Sequence, residues 1–457
     1  MNKITLGKNL IETLEAAGYE AYYIGGCVRD AIMDREGGDI DITTSATPDE
    51  VKAVFDEKRV IETGIEHGTV TILDDEGVPF EITTFRTEGT YSDKRHPDRV
   101  SFVRDLKEDL QRRDFTINAI AMDIRGGIHD PFNGAADIEA GIIRTVGDAD
   151  ERFGEDALRI MRAMRFASAL GNNTKVFVIE SATEEAMFRN KALLKNVSAE
   201  RIFVEFKKLV TGIHSGNVIR QYVDILGVVI PDLLLMKGFE QHNPYHRYDV
   251  LEHCVRSMDV VRTTPENGAH MKMAALFHDI GKPEMFFVGK DGIGHMYGHP
   301  LKGEEMVREI MKRLKADRFT SDRVALLVRH HDLLFRTDEK LLKKWLNKFG
   351  EEILLEILHL KHADNIATGN MSKELEDMFN EVEEMIVRIV EAGECFSLKD
   401  LAIGGRDLLE LEEAKEKTEG PWVGDVLNMI LDEVIDGKLE NERSGLLARA
   451  EAIIDQL

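Results

Sequence analysis

The stretch Tyr22-Tyr23-Ile24-Gly25-Gly26-Cys27-Val28-Arg29-Asp30, followed by Asp39-Ile40-Asp41-Ile42, decides the fold of the N-terminal part. An aromatic–aliphatic run ends in two glycines and passes into a helix-like segment. Glycines at such a junction let backbone N–H groups approach phosphate oxygens, and the helix start adds a favourable dipole. Asp39 and Asp41 are two residues apart, so on a strand they share one face while Ile40 and Ile42 share the other. Two neighbouring carboxylates repel unless cations lie between them. A pair of Mg²⁺ ions resolves the repulsion, and metals ~3.5–4 Å apart suit in-line attack at phosphorus. The best third acid is Glu81, in Phe80-Glu81-Ile82-Thr83. A solvated strand edge is the competing reading of a bare D-x-D, and the glycine turn just upstream argues against it.

Working outward, residues 1–20 read as a helix with Ile4, Leu10, Ile11 and Leu14 on one face. Residues 68–73 and 80–85 read as a hairpin around 74–78. A mixed α/β unit is therefore expected up to residue 146. After Gly147 the strands are expected to stop, and helical periods cover 155–170, 182–194, 198–210 and the rest of the chain. Breaks near 211–216, 264–268, 291–300 and 418–424 mark loops and boundaries. The chain is α+β, divided as 1–146, 147–235, 236–370 and 371–457.

At 457 residues the chain exceeds one ordinary domain. No apolar run approaches a membrane span, and no secretory signal is evident. Three scattered cysteines, Cys27, Cys254 and Cys395, fit neither a disulfide framework nor a thiolate zinc site, and a reducing cytoplasm is expected. The net charge of −25 argues against non-specific coating of RNA. Residues 371–457 carry nine basic and 23 acidic side chains, so more than half of that charge lies in the last fifth of the chain. By contrast, Lys191, Lys195, Arg201, Lys207, Lys208 and Arg220 form a basic stretch against only Glu200 and Glu205, and an RNA backbone is expected there.

Two further segments bear on nucleotide chemistry. In Arg112-Arg113-Asp114-Phe115-Thr116-Ile117-Asn118 the arginines suit a triphosphate. Asp114 and Asn118, four apart on one expected helical face, suit a ribose hydroxyl. In Glu155-Asp156-Ala157-Leu158-Arg159 the pair Asp156 and Arg159 is expected on one helix face, with Arg162 a turn further. A carboxylate accepting from N4 or N6 beside a guanidinium donating to N3 or N1 would take cytosine and adenine and reject uracil and guanine. The plainer reading is an i,i+3 salt bridge.

The run GGCVRD, DID, EITTFR, RRDFTINAIA and EDALRIMRAMRFA resembles the class II tRNA nucleotidyltransferase/poly(A) polymerase family, with the motifs in family order over residues 20–210. The resemblance implies a nucleotidyltransferase head, with catalytic metals on Asp39 and Asp41 and the strand acid at Glu81. It implies triphosphate and ribose contacts from Gly25, Gly26, Arg29, Arg112, Arg113, Asp114 and Asn118. Base selection falls to Asp156 and Arg159, beside Arg162. It also implies a flexible loop at 86–97 and a helical neck containing Glu200, Arg201 and Glu205. The implied reaction is attack of a tRNA 3′ hydroxyl on the α-phosphate of CTP or ATP, with pyrophosphate leaving. Poly(A) polymerase shares every head motif, and a CC- or A-adding specialist is a further alternative.

A third set lies further on: His253, His278-Asp279, His299, His330-His331-Asp332 and Lys361-His362-Ala363-Asp364. Nitrogen and carboxylate donors on several helices suit a divalent transition metal. The set resembles the HD phosphohydrolase fold, which implies ligands at His253, His278, Asp279 and Asp364 and a possible second metal on His299 and His330. An HD phosphohydrolase with an RNA-binding head is thus an alternative of another class. Residues 398–424 resemble the tRNA-binding tail of bacterial CCA-adding enzymes. The oligomeric state is not legible.

Overall fold

The computed structural model describes residues 3–35, 39–74, 77–89, 100–242, 247–290, 292–414 and 420–456. The chain divides into one unit of residues 1–234 with 310–316, and a second of 235–309 with 317–457.

The first unit opens with a helix, Lys3–Ala16, whose Leu10, Ile11 and Leu14 are buried. Its sheet is built from β1 (Ala21–Ile24), β2 (Asp41–Thr44), β3 (Arg59–Gly64), β4 (Thr69–Leu73) and β5 (Pro79–Thr84). A ribbon of β6 (Arg86–Glu88) and β7 (Val100–Phe102) follows, and then β8 (Ala121–Met122) and β9 (Ile128–His129). The sheet order is β3-β4-β5-β2-β1-β8-β9. The expected hairpin is present as the antiparallel pair β4 and β5, while β2 runs parallel to β5. Ile40, Ile42, Ile82 and Phe80 are fully or nearly fully buried, which fixes the acidic face of β2 and β5 outward.

Beyond the sheet the helices Leu158–Ala169, Ala199–Val210 and Ser215–Leu226 pack together. The expected helix over 155–170 is two helices, Ala149–Glu155 and Leu158–Ala169, because Asp156 takes extended backbone angles between them. Strands also recur after Gly147: Val178–Ile179 pairs with Ile142–Ile143, and Phe287–Val288 pairs with Gly294–His295. Two-residue strands are too short to show a period of two in the sequence.

In the second unit the helices Val250–Val260, Gly268–Phe277, Arg318–His330 and Glu339–Ala367 pack on one another. The last is interrupted at Gly350, whose φ of 74° only glycine adopts readily. Helix Lys373–Glu391 packs on it, and residues 401–414 and 420–454 contribute to a separate apolar cluster including Leu408, Val426, Ile430 and Leu446. No helix among the described residues is long and apolar enough to cross a membrane.

Candidate functional site: paired strand acids and a histidine–aspartate pocket

Asp41 opens β2, and Glu81 is its direct partner across the parallel pairing with β5. Asp39 precedes the strand by two residues and is exposed, as is Glu81, while Asp41 is half-buried. The pairing places Asp41 and Glu81 side by side on adjacent central strands, with Asp39 two residues upstream of Asp41. An oxygen-only, solvent-accessible set of this kind fits a hard cation.

Thr43 lies two residues beyond Asp41 on the same face, and its hydroxyl approaches Asp109 Oδ2 at 3.5 Å. Asp109 is fully buried, and sequence reasoning missed it. Its carboxylate accepts from Arg112 Nε at 3.0 Å, from Arg113 Nη2 at 3.3 Å and from the Arg86 amide at 3.2 Å. Burial alone would raise its carboxyl, but Arg113 and Arg112 hold it below the usual range. Arg112 is also paired with Glu88 at 3.1 Å. The spacing of Asp109 to the arginines, i,i+3 and i,i+4, is the signal that could have found it.

Gly25 has φ 71°, and a Cβ there would lie 3.5 Å from Arg113 Nη1, so the turn keeps bare backbone beside that guanidinium. From the helix after the turn, Arg29 donates to Asn118 Oδ1 at 2.7 Å. Asn118 donates to Asp114 Oδ1 at 3.2 Å, and Arg162 Nε donates to Asp114 Oδ2 at 2.7 Å. Asp114 and Asn118 thus meet as expected, although through a 3₁₀ turn at 116–118 rather than an α-helix. Burial would raise the Asp114 carboxyl, but Arg162 and Asn118 bring it down to about 2.

Asp156 and Arg159 are not neighbours on one helix face, because the helix is interrupted at Asp156 and a new one starts at Leu158. Asp156 forms a two-point pair with Arg201, at 2.6 and 3.3 Å, and accepts the Leu158 amide at 3.1 Å. Arg159 donates to Glu155 at 2.6 Å and to the Arg152 and Arg112 carbonyls at 3.0 Å. Both side chains are held in fixed orientations, and the plain i,i+3 salt bridge is replaced by separate partners.

The basic stretch is divided. Arg201 is turned onto Asp156, whereas Lys195 and Lys208 are exposed and Lys191 and Lys207 half-exposed. Glu205 is buried and faces Arg165 at 2.7 Å. Of the expected loop at 86–97, residues 90–97 lie outside the described residues.

In the second unit, His253 Nε2 lies 2.9 Å from Asp364 Oδ1 and 3.2 Å from His278 Nε2. Asp279 Oδ2 is 3.3 Å from His278, and its Oδ1 is 3.2 Å from His299 and 3.5 Å from His331. The structure corrects one assignment. His331, the residue after the helix Arg318–His330, enters the cluster. His330 instead packs edge-to-face on Phe349, with ring centroids 4.9 Å apart and planes at 67°. One residue of helical rotation, about 100°, moves a side chain to a different face.

His278, His299 and His331 each direct Nδ1 to a backbone carbonyl, at 2.8, 2.9 and 2.7 Å. That fixes the proton on Nδ1 and presents the Nε2 lone pair to the cluster, the arrangement of metal-ligating imidazoles. Three groups of side chains are able to hold an ion: His253, His278 and Asp364; Cys254, His278 and Asp279; and Asp279, His299 and His331, so that Cys254, set aside in the sequence as a ligand, borders the cluster. Asp279 Oδ2 is buried and makes no well-formed hydrogen bond, although Lys282 Nζ stands 2.6 Å away. Lys361 bridges Asp332 at 2.8 Å and Asp364 at 3.0 Å. These groups open into a cavity of about 400 Å³.

The sheet with its paired acids and arginine clamp is that of a nucleotidyltransferase. Residues 21–144 match the Poly A polymerase head domain, 176–233 the RNA and SrmB-binding site of polymerase A, and 299–450 the tRNA nucleotidyltransferase domain 2. The chain is 38% identical over 452 residues to the CCA-adding enzyme of Lactiplantibacillus plantarum, covering 98% of this chain and 96% of that one. It is 36% identical over 444 residues to the CCA-adding enzyme of Bacillus pumilus, covering 96% and 94%. The crystal structure of the Bacillus stearothermophilus CCA-adding enzyme in complex with CTP is similar, with a TM-score of 0.72 and 30% identity over 99% of this chain and 98% of that chain. The chain belongs to the CCA-adding enzymes and is a CCA tRNA nucleotidyltransferase.

Proposed function

We propose that Asp39, Asp41 and Glu81 carry the addition of C, C and A to tRNA 3′ ends from CTP and ATP. The observation that carries this reading is the in-register pairing of Asp41 with Glu81 on parallel strands, with Asp39 two residues upstream. Mg²⁺ held by these oxygens would neutralise triphosphate charge and activate the 3′ hydroxyl. Arg112 and Arg113, fixed by Asp109, bind the triphosphate beside the bare Gly25-Gly26 backbone. Asp114 and Asn118, linked to Arg29 and Arg162, hold the ribose. Asp156, anchored by Arg201, and Arg159, anchored by Glu155, read the Watson–Crick edge of the incoming base. Two side chains each locked by a second partner supply the preorganisation that positioning catalysis requires. Lys191, Lys195, Lys207 and Lys208 meet the RNA backbone, and Arg201 serves Asp156 instead. The work takes place in the cytoplasm, as the free thiols suggest.

The relatives named for full-length similarity are CCA-adding enzymes, which favours CCA addition over poly(A) synthesis. The test is to incubate the protein with tRNA transcripts ending at the discriminator base, with CTP and ATP, and to sequence the products. Transcripts gaining CCA support the reading; long A tails without C overturn it, and products stopping at CC or taking only A identify a specialist.

A second reading concerns residues 236–370, which we infer form an HD-type metal site with phosphohydrolase activity. The Nδ1-anchored imidazoles support it. His253, His278, Asp279 and Asp364 would hold a divalent transition metal, and His299 with His331 a second. Residues 371–457 form the tRNA-binding tail.

A further inference from the structure

The cavity beside the histidine–aspartate cluster has an aromatic rim that neither activity accounts for. The hairpin Phe287–Val288/Gly294–His295 pairs Phe287 directly opposite His295. Tyr297 follows His295 by two residues. The rings of His295 and Tyr297 stack with centroids 5.2 Å apart and planes 16° from parallel. Phe287 lies 5.5 Å from His295 and 5.9 Å from Tyr297. Core packing does not explain the trio, since Tyr297 is 70% exposed and Phe287 48%. His295 and Tyr297 also line the cavity, together with Lys282 and Lys361. The lining therefore joins exposed aromatic side chains to the histidines and aspartates, whose charge is partly balanced by Lys282 on Asp279 and by Lys361 on Asp332 and Asp364.

We propose that Phe287, His295 and Tyr297 form a stacking subsite for a nucleobase whose phosphate enters the histidine–aspartate cavity. The ligand class is an unstacked nucleotide bearing a terminal phosphate, either free or at the end of an RNA strand. Stacking on aromatic side chains is tolerant of base identity, because every base has a π-face. A cavity of about 400 Å³ is within the usual range for a small ligand. The subsite confers a preference for nucleotides over phosphate esters that lack a base. The proposal rests on the phosphohydrolase reading for its phosphate position, but the rim itself is independent of metal identity.

The test uses the full chain in buffer containing Zn²⁺. Tyr297→Trp places a fluorophore at the rim, and titration of the parent protein corrects for Trp345 and Trp422. Adenosine 3′-monophosphate is expected to quench the added emission saturably, and ribose 5-phosphate is not. A trinucleotide ending in a 3′-phosphate distinguishes the sources: quenching by it as well supports an RNA end, and quenching by the mononucleotide alone supports a free nucleotide. Phosphate release from adenosine 3′-monophosphate is followed in parallel, with Asp39→Ala and Asp41→Ala in the head of every variant. Tyr297→Ala is expected to raise its KM by about 10-fold with kcat little changed, and Tyr297→Phe to restore it. No quenching of Tyr297→Trp by either nucleotide overturns the stacking subsite. Phosphate release unaffected by Tyr297→Ala does so too, while leaving the phosphohydrolase reading standing. Quenching without any phosphate release or retained metal supports the subsite and removes the phosphohydrolase reading instead.

Discussion

The two acidic centres of this chain are built in opposite ways. In the head, Asp39, Asp41 and Glu81 lie on or just before the central strands β2 and β5, exposed or half-buried, and one parallel strand pairing aligns Asp41 with Glu81. In the second unit His253, the adjacent His278 and Asp279, and His331 are buried, come from three separate helical segments, and are braced by backbone carbonyls and two lysines. An exposed oxygen set pays little desolvation and suits an ion that arrives and leaves with a triphosphate. A buried mixed set keeps charges in place only by pairing them, as with Asp279, which Lys282 and His278 hold well below the usual carboxylate range despite burial. Such a set suits an ion that stays.

The sharpest way to break the comparison is Asp39→Ala with Asp41→Ala. Incorporation of labelled CTP and ATP into tRNA is expected to fall by about 1,000-fold or more, since removing the metal oxygens removes several kcal/mol of charge stabilisation. Elemental analysis is expected to find the metal content of the second unit unchanged. If transfer survives at near-parent rate, the acidic centre has been misassigned.

The mirror experiment separates His331 from His330. We expect His331→Ala to weaken metal retention, measured by dialysis against chelator and elemental analysis, by about 100-fold, and His330→Ala by less than threefold. Equal losses from both would show that the cluster geometry does not govern binding.

Within the head, Asp156→Ala, Arg159→Ala and Arg201→Ala should each degrade discrimination of CTP and ATP against UTP and GTP by about 10- to 100-fold, read from competitive incorporation. Arg201→Ala belongs in the set because Asp156 leans on it at 2.6 Å. Full selectivity in all three variants would move base choice elsewhere.

Asp114→Asn probes the ribose network through stability. The folded carboxyl titrates at about 2, below its unfolded value, so its contribution is present above pH ~4 and is lost as pH falls toward 2. Urea unfolding should show a deficit of about 2 kcal/mol for the variant at pH 6 that shrinks by pH 3. A deficit independent of pH contradicts the charge pairing with Arg162.

The smallest effect is expected from Lys207→Ala with Lys208→Ala. The KM for tRNA should rise about three- to tenfold, with the salt dependence of binding reduced by about one per lysine. An unchanged salt slope would take the RNA backbone off this surface.

Some of this was legible in the chain itself. Gly25-Gly26 marks the turn because glycine takes φ near 71° without strain, whereas the period-two reading of Asp39 and Asp41 holds only from Asp41, where β2 begins. The amphipathic helix 199–210 and the hairpin of β4 and β5 follow from their periods. The order of the head motifs carried the family. All of these are local or set by spacing.

The tertiary structure decided what spacing leaves open. Glu81 became the partner of Asp41 only through a parallel pairing across 40 residues of sequence. Asp109 emerged as the anchor of two arginines, Arg201 turned onto Asp156, and His331 took the place in the cluster expected for His330. For Glu81 the deciding quantity is the strand pairing, and for the others it is the direction in which a side chain leaves its helix. A residue's rotation about a helix end depends on where the helix stops, and burial of one charge is tolerated only where distant partners satisfy it.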